Sequence, residues 1–253
     1  MAPILKLNNL TKHFGGVKAL TDISLNVEKG SITGLIGPNG SGKSTLFNCV
    51  SGFYVPDKGS IKFEDKDIGG MNPNDVYNMG LARTFQHPRL FSDMTTLENF
   101  MLSPKNQNGE SILKAPFKRF WKDQEVKLAE KSKNLISRFE MEDIYGSKIM
   151  DLSGGHMKMV ETSKGILGNA RLVLLDEPTA GIQYGLGRSL FEQVKDMRER
   201  DDLTFFIIEH RIDLLFDFVD YVYVLHEGRL LCEGDPDTVS SNPEVQKAYF
   251  GDV

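Results

Sequence analysis

Gly37-Pro38-Asn39-Gly40-Ser41-Gly42-Lys43-Ser44 decides how the rest of this 253-residue chain is read. Its spacing is G-x-x-x-x-G-K-[ST], a glycine-rich loop whose backbone N–H groups can turn inward around an anion. Lys43 then reaches the outer phosphates of a nucleotide, and the Ser44 hydroxyl is placed to ligate Mg²⁺. The flanks agree. Ser31 to Ile36 is a short apolar strand, and Lys43 to Val50, with Thr45 in its first turn, starts a helix. The positive end of that helix would lie under the phosphates. The alternative is a glycine-rich turn that matches by chance, and what lies downstream counts against it.

The chain is long enough for one large domain or for two lobes sharing a core. Its 40% hydrophobic and 26% charged residues are those of an ordinary globular protein. A net charge of −5 implies no strongly basic face, which argues against nucleic acid as a partner. Cys49 and Cys232 lie far apart and are expected to be reduced thiols, neither a disulfide nor a metal pair. No run approaches the ~20 apolar residues needed to cross a bilayer. The N-terminus lacks the basic-then-apolar pattern of a signal peptide, so any membrane part would belong to another chain.

Ile4 to Asn8 and Ile23 to Val27 alternate apolar and polar residues, as half-buried antiparallel strands do. Lys12 to Gly16 between them is expected to turn and to carry an exposed Phe14. Ser60 to Glu64 is strand-like, and Asn72-Pro73 opens a short helix that ends near Gly80. Leu81 to Phe85 forms a strand that delivers Gln86; Thr96 to Leu102 is a short helix, and polar Ser103 to Ser111 a loop. From Ile112 to Met141, Val126, Ala129, Leu135, Ile136 and Phe139 recur at three- and four-residue steps and predict a helical stretch. A helix follows from Leu152-Ser153-Gly154-Gly155 to about Gly168. Strands at Leu172 to Leu175, Leu203 to Ile208 and Asp220 to Leu225 then alternate with helices at Tyr184 to Arg200 and Ile212 to Phe218. A hairpin at His226 to Arg229 leads into Leu230 to Glu233. The alternation implies a parallel sheet with helices on both faces.

Several residues line up with the phosphate loop. The apolar strand Leu172 to Leu175 ends in Asp176 and Glu177. Asp176 is placed to hold Mg²⁺ through water and Glu177 to polarise an attacking water; adjacent residues point to different sides of a strand, so the two have separate jobs. Without the phosphate loop, two acids capping a strand would be as good a reading. Leu152-Ser153-Gly154-Gly155 offers a hydroxyl, backbone N–H groups and a helix N-terminus, a second phosphate grip. Two grips so far apart in one chain suggest that one of them serves a different copy. His210, just past a strand, could position a γ-phosphate. Gln86 could touch Mg²⁺ or the attacking water, and Phe14 could stack on an adenine ring. Taken singly, each of these three is more often structural.

In this order, the phosphate loop, Gln86, Leu152 to Gly155, Leu174-Leu175-Asp176-Glu177-Pro178 and His210 resemble the nucleotide-binding subunit of an ABC transporter, over essentially the whole chain. The resemblance implies an α/β P-loop NTPase of the ABC ATPase fold, with a RecA-like mixed sheet core, an N-terminal antiparallel β subdomain and a helical subdomain. Residues 1–86 and 171–253 would form the core and about 87–170 the helical part. It implies ATP and Mg²⁺ as ligands, and two subunits paired head-to-tail. Lys43, Ser44, Thr45 and Asp176 of one copy would face the signature residues Ser153, Gly154, Gly155 and His156 of the other. Glu177 would be the catalytic base, His210 the γ-phosphate switch and Gln86 the link to a transmembrane partner, with Gln86 to about Met101 as the transmission surface.

Arg83 to Phe91, Asn48 to Tyr54, the Asn242 to Gly251 tail and the insertion around Ser103 to Asp123 are similar to the branched-chain amino-acid importer ATPases of the LivG type. On that resemblance the chain works peripherally at the cytoplasmic face of the membrane. Its partners would be permeases, a second ATPase (itself or a sister) and, indirectly, a solute-binding protein. Urea and amide importers use similar ATPases, and a soluble ABC ATPase of the iron–sulfur assembly type is the rival class. A P-loop kinase or GTPase would have no reason for Leu152 to Gly155. Two positions depart from the family pattern: His156 stands where glutamine is usual, and Gln183 where aspartate is common.

Overall fold

The computed structural model describes residues 3–86, 88–105 and 107–250, so His87 of the Arg83 to Phe91 stretch and Gly251 of the tail lie outside the described residues. The chain opens with an antiparallel hairpin, β1 (Pro3–Phe14) and β2 (Val17–Glu28). The turn is narrower than the sequence suggests. Phe14 still pairs with Val17, which leaves only Gly15 and Gly16 to reverse the chain. β3 (Ile32–Ile36) leads through the phosphate loop into α1 (Lys43–Val50). β4 (Lys58–Phe63) and β5 (Lys66–Asp67) complete a four-stranded antiparallel sheet in the order β2-β1-β4-β5. In α2 (Pro73–Asn78) the Asn72 side chain accepts the Asp75 N–H, and β6 (Leu81–Arg83) follows. α3 (Thr96–Met101) starts with a capping box between Thr95 and Glu98.

The long helical stretch expected from Ile112 is shorter than its pattern implied. α4 spans Lys122–Arg138, and the only helical piece between Ile112 and Lys122 is a 3₁₀ turn at Lys118–Phe120. Pro116 lacks an N–H and disfavours helix in the residue before it. Ile112, Leu113, Phe117 and Phe120 on either side of it remain exposed and join neither core. Within α4 the buried face is Leu128, Ser132, Leu135 and Ile136, while Val126 lies exposed off that face.

The second half of the chain supplies α5 (Gly154–Leu167), β7 (Leu172–Asp176), α6 (Tyr184–Asp201) and β8 (Thr204–Ile208). Then come α7 (Ile212–Phe216), β9 (Tyr221–His226), β10 (Arg229–Gly234), α8 (Pro236–Ser240) and α9 (Pro243–Phe250). A six-stranded sheet runs β10-β9-β3-β8-β7-β6, parallel throughout except for the β9–β10 hairpin. This is the mixed sheet that the resemblance implied.

Side-chain alternation divides that sheet between two cores. Leu172, Leu174, Phe206 and Ile208 pack towards α1 and the antiparallel sheet; Val173, Leu175, Phe205 and Ile207 pack with α3 to α7. Each fully buried side chain of this size contributes about 1.5–3 kcal/mol, so the strands form a stiff platform. Cys49 and Cys232 are both free, and burial pushes the Cys49 thiol up to about 11. Among the described residues no helix is long and apolar enough to cross a membrane.

Candidate active site at the strand ends

Because β3, β8, β7 and β6 run parallel, their carboxyl ends lie along one edge of the sheet, where open α/β sheets bind ligands. β3 delivers the phosphate loop, β7 Asp176 and Glu177, β8 Glu209 and His210, and β6, three residues on, Gln86.

The loop closes only with glycine. Gly37 and Gly42 take φ of +152° and +104°, and a Cβ on them would lie 2.1 Å from the Leu225 carbonyl oxygen and 2.6 Å from that of Ala19. The Gly228 N–H donates to Ser41 O at 3.1 Å and ties the loop to the β9–β10 turn. Lys43 folds back over the loop, its Nζ donating to Gly37 O at 2.7 Å and Pro38 O at 3.0 Å. Burial pushes the Lys43 pKa down, against the pull of the Glu177 and Asp176 charges. Asn39, Gly40 and Ser44 are exposed, and Thr45 is half-buried. The Ser41 hydroxyl is buried without a hydrogen-bond partner.

These residues fit a magnesium nucleotide. An orphaned hydroxyl lies within the anion loop, a lysine rests on backbone carbonyls, and the Ser44 hydroxyl and Asp176 carboxylate supply hard oxygen donors. Among the described residues no group of three His, Cys, Asp or Glu could hold a metal. Mg²⁺ taken up with substrate phosphates and one or two protein oxygens needs no such cage.

Asp176 is held by a residue that was not singled out in the sequence. Arg83 Nη2 donates to Asp176 Oδ2 at 2.8 Å, while Nη1 donates to Asn48 Oδ1 at 2.7 Å and Ser51 Oγ at 2.9 Å. Its guanidinium lies 5.4 to 5.8 Å from the ring centroids of Phe47, Phe53 and Phe85. One side chain thus joins β6, α1 and β7. In the sequence it is only a cation that closes an apolar strand.

Glu177 leaves β7 with φ +50°, a left-handed conformation that costs a non-glycine residue on the order of 1 kcal/mol or more. Its Oε2 accepts Gln86 Nε2 at 3.1 Å, and its Oε1 is 3.0 Å from His210 Nε2. Three residues selected separately from the sequence are therefore joined at one carboxylate. Behind them, buried Glu209 accepts the Thr179 N–H at 2.9 Å, the Thr179 hydroxyl and the His210 N–H at 2.7 Å. From α5, Lys158 Nζ donates to Glu177 O at 3.0 Å and Ala180 O at 2.6 Å. Also on α5, Glu161 accepts the Arg89 N–H at 2.9 Å, and burial pushes its carboxyl up to about 7. It lines a cavity of about 260 Å³ between α5 and the segment around Gln86. Glu161, Lys158 and Glu209 carry no pattern of their own in the sequence.

Two of the expected contributors stand apart from this cluster. Phe14 is 43% exposed on the antiparallel sheet, edge-on to Tyr54 with ring centroids 5.1 Å apart. Ser153 caps α5, accepting the His156 N–H at 3.3 Å, and its hydroxyl lies 3.1 Å from His156 Nδ1. Gly155 is buried against Leu186 and Ile182, whereas Gly154 is exposed and a Cβ there would meet nothing within 4 Å. Among the described residues, the hydrogen bonds of Ser153 and His156 stay within α5 and its cap.

A family model described as "ABC transporter" matches residues 20–180, and one described as "Branched-chain amino acid ATP-binding cassette transporter" matches residues 229–253. The probable branched-chain amino acid transport ATP-binding protein LivG of Methanocaldococcus jannaschii is 39% identical, covering 98% of each chain. The high-affinity branched-chain amino acid transport ATP-binding protein LivG of Escherichia coli (strain K12) is 32% identical, covering 99% of each. A crystal structure of the ADP conformation of an ATP-binding cassette of an ABC transporter matches at TM-score 0.86 and 38% identity, over 100% of both chains.

Proposed function

This chain belongs to the ABC transporter ATP-binding family, and on that premise we propose that it is the ATP-binding and hydrolysing subunit of an importer for branched-chain amino acids. The observation that carries the reading is the Gln86–Glu177–His210 cluster at the strand ends that also bear the phosphate loop. Residues 1–86 and 171–253 form the core that holds the nucleotide, and residues 87–170 form a helical part that presents the signature turn.

Phosphates enter the loop of Gly37, Pro38, Asn39, Gly40, Ser41 and Gly42, and Lys43 turns from the loop carbonyls to the outer phosphates. Phe14 stacks on the adenine. Ser44, Asp176 and Gln86 would hold Mg²⁺, which when bound would offset charge on the phosphates. Glu177, released from Gln86 and His210, accepts a proton from the attacking water. The water oxygen bonds to the γ-phosphorus as the bond to the β–γ bridging oxygen breaks, giving ADP and phosphate. His210 donates to the γ-phosphate. Ser153, Gly154, Gly155 and His156 of a second ATPase subunit close over that phosphate from the other side, using the free end of α5. Gln86 to about Met101 meets the permeases, which hold the subunit at the cytoplasmic face of the membrane and receive solute from a binding protein.

The test is a pull-down of the chain carrying Glu177→Gln from detergent-solubilised source membranes with Mg-ATP. Multi-span permeases and an ATPase partner are expected, and soluble partners alone would overturn the importer reading. Transport of leucine, isoleucine or valine by the recovered complex in proteoliposomes decides the solute.

A further inference from the structure

The stretch from Ser111 to Lys122, Ser-Ile-Leu-Lys-Ala-Pro-Phe-Lys-Arg-Phe-Trp-Lys, has no part in the site above. Residues 112 to 120 are all exposed, with Ile112 at 90%, Leu113 at 83%, Phe117 at 54% and Phe120 at 45% of full exposure. Lys114, Lys118, Arg119 and Lys122 are interleaved with them, and the stretch contains no acid although the chain carries a net charge of −5. Single exposed apolar residues are ordinary; a consecutive cluster marks a contact surface.

The stretch is also held in shape from within. Trp121 Nε1 donates to Ala115 O at 2.9 Å, Lys114 Nζ to Asn108 Oδ1 at 2.9 Å, and the Asn108 N–H to Gln124 Oε1 at 2.7 Å. Phe117 and Phe120 meet edge to face with centroids 6.0 Å apart. Polar bonds fix the turn, so its apolar side chains are presented outward.

We propose that this turn is a membrane-surface anchor, in which Ile112, Leu113, Phe117 and Phe120 enter an anionic bilayer while Lys114, Lys118, Arg119 and Lys122 meet its phosphate headgroups. Cations and apolar groups in immediate alternation match the interface, where phosphate and acyl chain lie within one side chain's length of each other. A partner protein would have to supply an acid and an apolar hollow in register with each residue. A fluid lipid surface supplies both without register. The anchor rests on the importer reading only in that a bilayer is at hand, and it is tested without permeases.

Trp121 is the only tryptophan of the chain and adjoins Phe120, so it reports on the turn. The full chain is mixed with protein-free vesicles of phosphatidylcholine, with and without about 30% phosphatidylglycerol. Roughly tenfold more protein is expected to sediment with the anionic vesicles, with Trp121 emission shifted to the blue and quenched by brominated acyl chains. Added salt should weaken the binding. Phe117→Ser with Phe120→Ser should abolish the blue shift. Lys118→Gln, Arg119→Gln and Lys122→Gln together should remove the preference for anionic lipid. Both variants should keep the melting temperature within about 2 °C, since the residues are exposed. Absence of wild-type binding, or binding unchanged in both variants, would overturn the anchor. A pull-down that finds no permease while vesicle binding persists would remove the importer reading and leave the anchor standing.

Discussion

The two proposed phosphate grips of this chain are built in opposite ways. The loop at Gly37 to Ser44 is closed on itself: a side chain at Gly37 or Gly42 would strike the Leu225 or Ala19 carbonyl, and its lysine rests on its own backbone. The turn at Ser153 to His156 is open, with Gly154 facing empty space and the Ser153 hydroxyl engaged only with the N–H and ring of His156. The loop needs glycine at Gly37 and Gly42 for its own closure, whereas the turn leaves Gly154 open and packs only Gly155, against Leu186 and Ile182. In the proposed function, the closed loop is the half of a nucleotide site that a protomer owns and the open turn the half that it lends.

Glu177→Gln should have the largest effect. Hydrolysis is expected to fall about 10²- to 10⁴-fold, measured by phosphate release, while Mg-ATP now yields a stable dimer on size-exclusion chromatography. Turnover at the wild-type rate would remove Glu177 from the base role. Lys43→Ala should weaken ATP binding roughly 10- to 100-fold by titration calorimetry. Ser153→Ala should leave the monomer's affinity within about twofold and weaken only the ATP-driven dimer. If Ser153→Ala weakened monomer binding as much as Lys43→Ala, the division between owned and lent halves would fail.

Stability sharpens the same contrast. Gly42→Ala puts a methyl against the Ala19 carbonyl oxygen and should cost about 1–3 kcal/mol in denaturant unfolding. Gly154→Ala should stay within about 0.5 kcal/mol of wild type. Equal losses would mean that the open turn is packed after all.

A pH dependence is expected at Glu161. Its carboxyl, pushed up to about 7 from the usual 4.5, keeps a proton that the unfolded chain has already released. Between those values the folded state binds more protons, so stability falls as pH rises through the window. Glu161→Gln should flatten that fall by about 1–3 kcal/mol between about pH 5 and pH 8, read from unfolding curves at both ends.

Legibility in the sequence followed how local each cause was. The turn glycines and the helix after them are dictated by neighbours in the chain, and α1 spans the residues expected of it. The Asn72 cap and the apolar strand ending in Asp176 are local in the same sense. The start of α4 was not legible, because the periodicity of Ile112 to Met141 cannot tell which apolar residues will find a partner surface. Arg83 was missed for a related reason. Its partners Asn48 and Asp176 are 35 and 93 residues away, and nothing near it in the chain announces them. Residues proposed to touch phosphate come with a spacing, whereas those that hold them in place have only an address in three dimensions.

Arg83 carries one more consequence. It ends a strand of three residues, and only Thr84 and Phe85 separate it from Gln86. A push delivered at Gln86 therefore meets almost no slack before it reaches the guanidinium that grips Asp176, Asn48 and Ser51 together. The linkage is geared low: a permease loop resting on Gln86 would be felt beside the nucleotide as a strained bond rather than as a swinging lobe.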